Sequence, residues 1–224
     1  MENDGRPEYG PITHFFERAS NVLRQASLAN ILFGIEAEKR GLFKGPVESR
    51  AFDIWRSRKV DYYILAWLAI ETVIAFLIPT ASGWLLALLL VPIVYRIIDI
   101  LQAAVNMNLF AHLRRDPGQY NITSATRALV LTLWTYVEIA FCFGIVYSSS
   151  VMPLQGAQTW WDAYYFSATT QLTISFGDVN PVGATRFIAP VQGMAGFLLA
   201  ILAIGKLVGL LPRPSAVVGD AADD

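Results

Sequence analysis

Four long apolar runs, each broken by few charges, dominate the chain: Tyr62–Pro79, Trp84–Val105, Ala128–Tyr147 and Phe187–Leu211. An α-helix rises 1.5 Å per residue, so about 20 apolar residues cross the hydrocarbon core of a bilayer. The pattern therefore predicts four transmembrane helices. A fifth stretch, Trp160 to Leu172, is aromatic-rich but only about half that length, as expected of a segment that enters the membrane and turns back. Near the N-terminus, apolar positions Ile12, Phe15, Phe16, Ala19, Val22, Leu23, Ala26, Ala29 and Phe33 recur at helical spacing and predict an amphipathic helix on the inner membrane surface or on a neighbouring element. Phe52, Trp55, Arg56, Arg58 and Lys59 then read as an interfacial stretch leading into the first span. The chain divides into an N-terminal region 1–61, a transmembrane hairpin 62–111, a loop 112–127, a second membrane unit 128–211 and a short tail 212–224. The fold class is an all-α membrane protein with a re-entrant helix and loop between spans three and four.

Charge fixes the expected sidedness. Of 17 Lys+Arg and 18 Asp+Glu in 224 residues, 19 lie in residues 1–61, and only Glu71, Arg96 and Asp99 fall between Tyr62 and Ala111. Arg50, Arg56, Arg58 and Lys59 precede the first span, Arg114, Arg115 and Arg127 separate the second from the third, and Lys206 and Arg213 end the fourth. By the positive-inside rule these flanks are cytoplasmic, which puts both termini inside and the re-entrant segment outside. The cell membrane is the expected location. No basic segment followed by a short apolar run and a cleavage site opens the sequence, so the first span is expected to serve as its own signal. Charged residues make up 16%, against roughly 25% in soluble domains, and mean hydropathy is +0.44. Net charge is −1, which argues against a nucleic-acid partner held by bulk positive charge. One cysteine, Cys142, excludes an intrachain disulfide framework and a multi-Cys zinc site. No nucleophile/base pair, two-His metal arrangement or Gly-rich phosphate loop is present, so the chain is not expected to be an enzyme or to hold a cofactor.

The candidate chemistry lies between spans three and four. After the aromatic run Trp160-Trp161-Asp162-Ala163-Tyr164-Tyr165-Phe166 the chain reads Thr173-Ile174-Ser175-Phe176-Gly177-Asp178-Val179-Asn180-Pro181. Non-helical backbone at membrane depth is tolerated only where it is buried in protein or lines a watery cavity. Such backbone can offer carbonyl oxygens to a dehydrated cation, and the short helix before it points its negative end the same way.

Thr173-Ile174-Ser175-Phe176-Gly177-Asp178 resembles the filter Thr-Val-Gly-Tyr-Gly-Asp of the tetrameric potassium-channel superfamily, a likeness that extends over roughly Trp160 to Leu211. The resemblance implies that Thr173, Ile174, Ser175 and Phe176 offer oxygens to a permeant K⁺ and that Gly177 supplies permissive backbone at the outer end. It further implies that Asp178 braces the filter from behind, held by the hydroxyl of Tyr165. The fourth span is similar to the family's inner helix. There, Gly193 and Gly196 stand where such helices bend, and Phe197, Ala200, Ile204 and Val208 would line an apolar cavity able to gate by dewetting. One pore loop supplies a quarter of a ring, so three further copies of the chain are the expected partners, with membrane lipid around them. Two positions depart from the family pattern. Leu172 stands where Thr is usual, and Ser175 replaces the first filter glycine. Family filters alternate backbone handedness, and a left-handed non-Gly residue costs about 1–2 kcal/mol. Ser175 is therefore expected either to bear strain or to let its carbonyl turn away, and either course opens an alternative in which the pore is nonselective or admits Na⁺. A nonconducting membrane subunit or receptor on the same scaffold is the further alternative.

Ionisable residues inside the spans are costly and default to functional candidates. Arg96 and Asp99 are spaced to pair on one helix face, with Glu71 or Glu138 expected to join them, either to neutralise charge or to respond to protons or voltage. A single Arg does not make a voltage sensor of the usual type.

Overall fold

The computed structural model describes residues 46–105 and 125–210, with side chains described for 58–105, 127 and 129–208. The expected N-terminal amphipathic helix, most of the loop 112–127 and the tail 212–224 lie outside the described residues. Chain order is α1 (Pro46–Leu77), a 3₁₀ turn (Ile78–Thr80), α2 (Gly83–Val105), α3 (Ala125–Tyr147), β1 (Leu154–Gln155), α4 (Trp161–Gln171), β2 (Asn180–Pro181) and α5 (Thr185–Leu210).

Four helices are long and apolar enough to span a membrane: Arg58–Thr80, Gly83–Val105, Leu129–Tyr147 and Thr185–Val208. The chain is an integral membrane protein. The first span does not begin at Tyr62 after a separate interfacial stretch. It is the second half of one helix that starts at Pro46, and proline suits a helix start because the first N–H has no intrahelical partner there. Pro79 helps to end that helix. The backbone tightens into the 3₁₀ turn, Ala81 is extended, and Gly83 takes φ +58 to reverse direction into α2. Pro92 and Pro190 sit inside α2 and α5 without ending them, as membrane helices allow when neighbours satisfy the freed carbonyl.

Helix α3 is the hub, packing on α2, on the short α4 and on α5. Its residues Ile139, Cys142, Phe143 and Ile145 join Ile78, Ile93, Ile100 and Leu199 in the apolar core. Outward faces remain greasy: Trp84, Phe187 and Met194 are 78%, 79% and 74% exposed within the protomer. In water such faces would aggregate. A bilayer is the solvent that suits them.

The hairpin α1–α2 is fastened to α3 by charge. Arg96 is 4% exposed, its Nε donates to Glu138 Oε1 at 2.8 Å and its Nη2 donates to the same oxygen. Nη1 donates to Asp99 Oδ2 at 3.1 Å, and the Tyr63 hydroxyl donates to that oxygen at 3.0 Å. The guanidinium also lies over the rings of Tyr63 and Trp67, at 5.2 and 5.4 Å from their centres. Glu71 completes the group, with Oε1 3.6 Å from Arg96 Nε. All four charged members are buried. Towards one end of the same bundle, Arg127 on α3 grips Asp61 on α1 through both carboxylate oxygens, at 2.8 and 3.0 Å.

Candidate functional site

The segment between α3 and α5 leaves and re-enters the bundle through one pinch point. Two-residue strands β1 and β2 pair antiparallel, with Leu154 opposite Pro181 and Gln155 opposite Asn180. Just beyond, Thr185 Oγ1 donates to Pro153 O at 2.8 Å and Arg186 Nε to Pro181 O at 3.2 Å. Gly156, at φ +92, is required here, because a Cβ would meet the carbonyl oxygen of Asp178. Everything from 156 to 180 is thus a closed loop whose two arms are tied together.

Inside it stands α4, eleven residues long and too short to span. Before its first turn, Asp162 Oδ2 accepts the N–H groups of Gln158 and Thr159 at 2.6 and 2.7 Å. The Thr159 and Gln158 amides hold this carboxyl below the usual carboxylate range. Trp160 and Trp161 stack at 3.8 Å, and Trp160 also meets Phe76 of α1 at 6.1 Å. Gly144 of α3 lets the Tyr164 ring come so close that any Cβ there would collide with it. Ser167 Oγ donates to Ala140 O at 2.6 Å.

The last turn of α4 is fully capped. Leu172 N–H bonds to Ala168 O at 3.0 Å, Ile174 N–H to Thr169 O at 2.8 Å and Thr173 N–H to Thr170 O at 3.1 Å, while Gln171 O accepts the Tyr136 hydroxyl at 3.0 Å. The crossed pair from Ile174 and Thr173 is a Schellman motif, which requires a left-handed residue just after the C-cap Leu172. That residue is Thr173, at φ +58. Of the two courses open to Ser175, the strained one is not taken. Ser175 is not left-handed, and the strained non-glycine residue is Thr173. The cap geometry imposes the conformation, and a β-branched residue bears it at a cost of at least about 1–2 kcal/mol.

Beyond the cap, residues 172–178 are all exposed on the protomer. Gly177 has φ +78, and its carbonyl accepts Asn180 Nδ2 at 2.8 Å. Asp178 Oδ1 accepts the Tyr165 hydroxyl at 3.1 Å and the Val179 N–H at 3.0 Å. The Tyr165 ring stacks on Phe176 at 6.2 Å. Tyr165 and Asp178, paired by resemblance in the sequence, are therefore brought together, whereas the Gly177 carbonyl is engaged within its own loop.

On α5, Gly193 has open space around it, but Gly196 is a close-packing position: a Cβ there would lie 2.9 Å from Gln171 Cδ and 3.0 Å from Gln171 O. The helix runs through both glycines. Phe197, Ile204 and Val208 are 62%, 60% and 59% exposed on the protomer, with Ala200 half-buried beside them. Sequence reasoning missed Gln192, which is fully buried and whose Nε2 donates to Ser167 O at 2.9 Å, Ser167 Oγ at 2.8 Å and Gln171 Oε1 at 3.3 Å. An amide in an apolar span was the available signal, because such a group turns towards protein. Gln192→Leu strands these buried acceptors, and the expected result is a loss of about 1–3 kcal/mol per protomer, read as a lower Tm of the detergent-solubilised protein with its helix content retained.

Residues 128–212 match a family model described as an ion channel. The matched stretch takes in all but the start of α3 and all of β1, α4, β2 and α5, and leaves α1 and α2 outside it. No curated protein and no solved structure matches the chain.

Proposed function

We propose that this ion channel conducts monovalent cations passively, as a homotetramer in which Thr173, Ile174, Ser175, Phe176 and Gly177 of four copies surround the ion path. The observation that carries the reading is the loop 172–178, held between α4 and α5, open on one side and braced by the Tyr165–Asp178 bond. Four copies placing that open side on a common axis make a ring of backbone oxygens, and the exposed apolar positions of α5 line the cavity beneath. K⁺ is the permeant ion of this reading. The protein lies in the cell membrane with both termini cytoplasmic, its partners are its own copies and lipid, and neither cofactor nor nucleic acid takes part.

Ser175 favours a second reading, a pore that admits Na⁺. Its backbone is not left-handed, so the alternation of the family filter is interrupted at this residue. The test is the reversal potential of purified protein in liposomes under opposed K⁺ and Na⁺ gradients, for wild type and Ser175→Gly. Glycine makes the left-handed state cheaper by about 1–2 kcal/mol, so the K⁺/Na⁺ permeability ratio is expected to rise up to about tenfold. A wild-type pore that is already strongly K⁺-selective and unchanged by the substitution removes the second reading. Silent liposomes containing intact tetramers overturn conduction itself and leave a nonconducting subunit.

A further inference from the structure

Among the described residues, the four charged members buried at the seam of α1, α2 and α3 do not balance one another if every one is ionised. Arg96 supplies one positive charge, and Glu71, Asp99 and Glu138 supply three negative ones, in the middle of the spans. The hydrogen bonds that form in the same place leave acceptors that no donor reaches. Arg96 spends Nε and Nη2 on one oxygen of Glu138 and Nη1 on Asp99. Glu138 Oε2 is buried without a partner, and so are both oxygens of Glu71, which is 0% exposed. Arg96 Nε, at 3.6 Å from Glu71 Oε1, is too far for a hydrogen bond. The groups facing Glu71 are Glu138 and Cys142 on α3, Arg96 on α2 with Asp99 beyond it, and Tyr63 and Trp67 of its own helix, which face the guanidinium. A thiol is a weak donor.

Two adjoining carboxylates are acceptors only and cannot satisfy each other, whereas a carboxylic acid beside a carboxylate can. We propose that Glu71 is a proton-binding site: in the folded protein it carries a proton and donates it to the free oxygen of Glu138. One proton then supplies a partner to both acids and lowers the excess charge of the group from −2 to −1. Glu71 holds it in preference to Glu138, because Glu138 already accepts two N–H groups from Arg96. When the proton is lost, Glu71–COOH and water give the carboxylate and hydronium, and two like charges then face each other across the joint between the hairpin and the pore unit. Proton release thus loosens the hairpin from α3. The proposal rests on this cluster and stands whichever ion the pore conducts.

Infrared spectra of the purified full chain, with stability scans across pH, test it. At pH 7 the wild type is expected to show the C=O band of a protonated carboxylic acid, shifted in D₂O and absent from Glu71→Gln, whose amide keeps the donor and removes the titration. In Glu138→Gln the band is expected to disappear, since Glu71 is then the acid left to face Arg96. The sign of the stability effect follows from linkage: the fold retains a proton that the unfolded chain has released, so stability falls as pH rises, until the acid band titrates away. From pH 5 to that point, wild-type Tm should fall by about 3–5 °C per pH unit relative to Glu71→Gln. No acid band at pH 7, a band that persists in Glu71→Gln, or parallel Tm profiles would each overturn the proposal. Stabilisation by Na⁺ or Li⁺ in a protein without the acid band would make this a metal-ion site instead and overturn it too. The wild-type titration alone decides the case if a variant does not fold.

Discussion

Gly177→Val is expected to abolish ion flux while leaving the assembled protein intact. A Cβ at Gly177 meets nothing within 4 Å, so the protomer has room for a side chain. The obstacle is the backbone. At φ +78 a non-glycine residue pays about 1–2 kcal/mol, and a β-branched one more. Relief of that strain rotates the peptide planes on which three bonds depend: Asn180 Nδ2 to Gly177 O, Tyr165 Oη to Asp178 Oδ1 and Val179 N–H to Asp178 Oδ1. In the proposed ring the cost recurs in four copies, a total of about 4–8 kcal/mol, so the intact ring becomes rarer by on the order of a thousandfold or more. Gly177→Ala carries the left-handed cost without branching and should fall between wild type and valine. Flux of K⁺ and Na⁺ into liposomes is the measurement, with the mass of the solubilised assembly as control. Wild-type flux in Gly177→Val would remove these residues from the conduction path.

The membrane spans were readable because the requirement is crude: a bilayer asks for about 20 apolar residues, and the chain supplies four such runs. The re-entrant α4 was readable for the complementary reason, being apolar and too short. What escaped depended on contacts between distant residues. β1 and β2 are two residues each, and one of them ends in Pro181, so no alternation announces them. The left-handed backbone at Thr173 follows from how α4 is capped. Threonine is a poor choice for that conformation, and the resemblance to the family filter, with its glycine at the place of Ser175, drew attention to Ser175 instead. Gly144, Gly156 and Gly196 each admit a neighbour that sequence spacing does not identify. The intramembrane charges were intermediate. Arg96 and Asp99 declared themselves by spacing on one helix, but only packing could decide that both Glu71 and Glu138 join them.

That cluster carries the second large effect. Arg96→Leu is expected to cost about 3–5 kcal/mol per protomer, because it removes the positive member of a buried ionic group and leaves its carboxylates uncompensated. The loss divides among several contacts. Glu138 loses both N–H donors, Asp99 loses Nη1 but keeps the Tyr63 hydroxyl, and the rings of Tyr63 and Trp67 lose the cation above them. Arg96→Lys should fall between leucine and wild type, since an ammonium restores charge but cannot bond Glu138 and Asp99 with the fixed fork of a guanidinium. The decisive comparison is Arg96→Leu with Glu138→Gln. If the leucine variant fails because of stranded charge, removing the carboxylate that used two of the three bonds should recover part of the lost stability, and the coupling should exceed about 0.5 kcal/mol. Tm and the yield of folded protein in one detergent measure it. A leucine variant as stable as the wild type, or a double variant no better than the sum of its parts, would mean that apolar packing on α3, and not the Arg96 group, holds the hairpin to the pore unit.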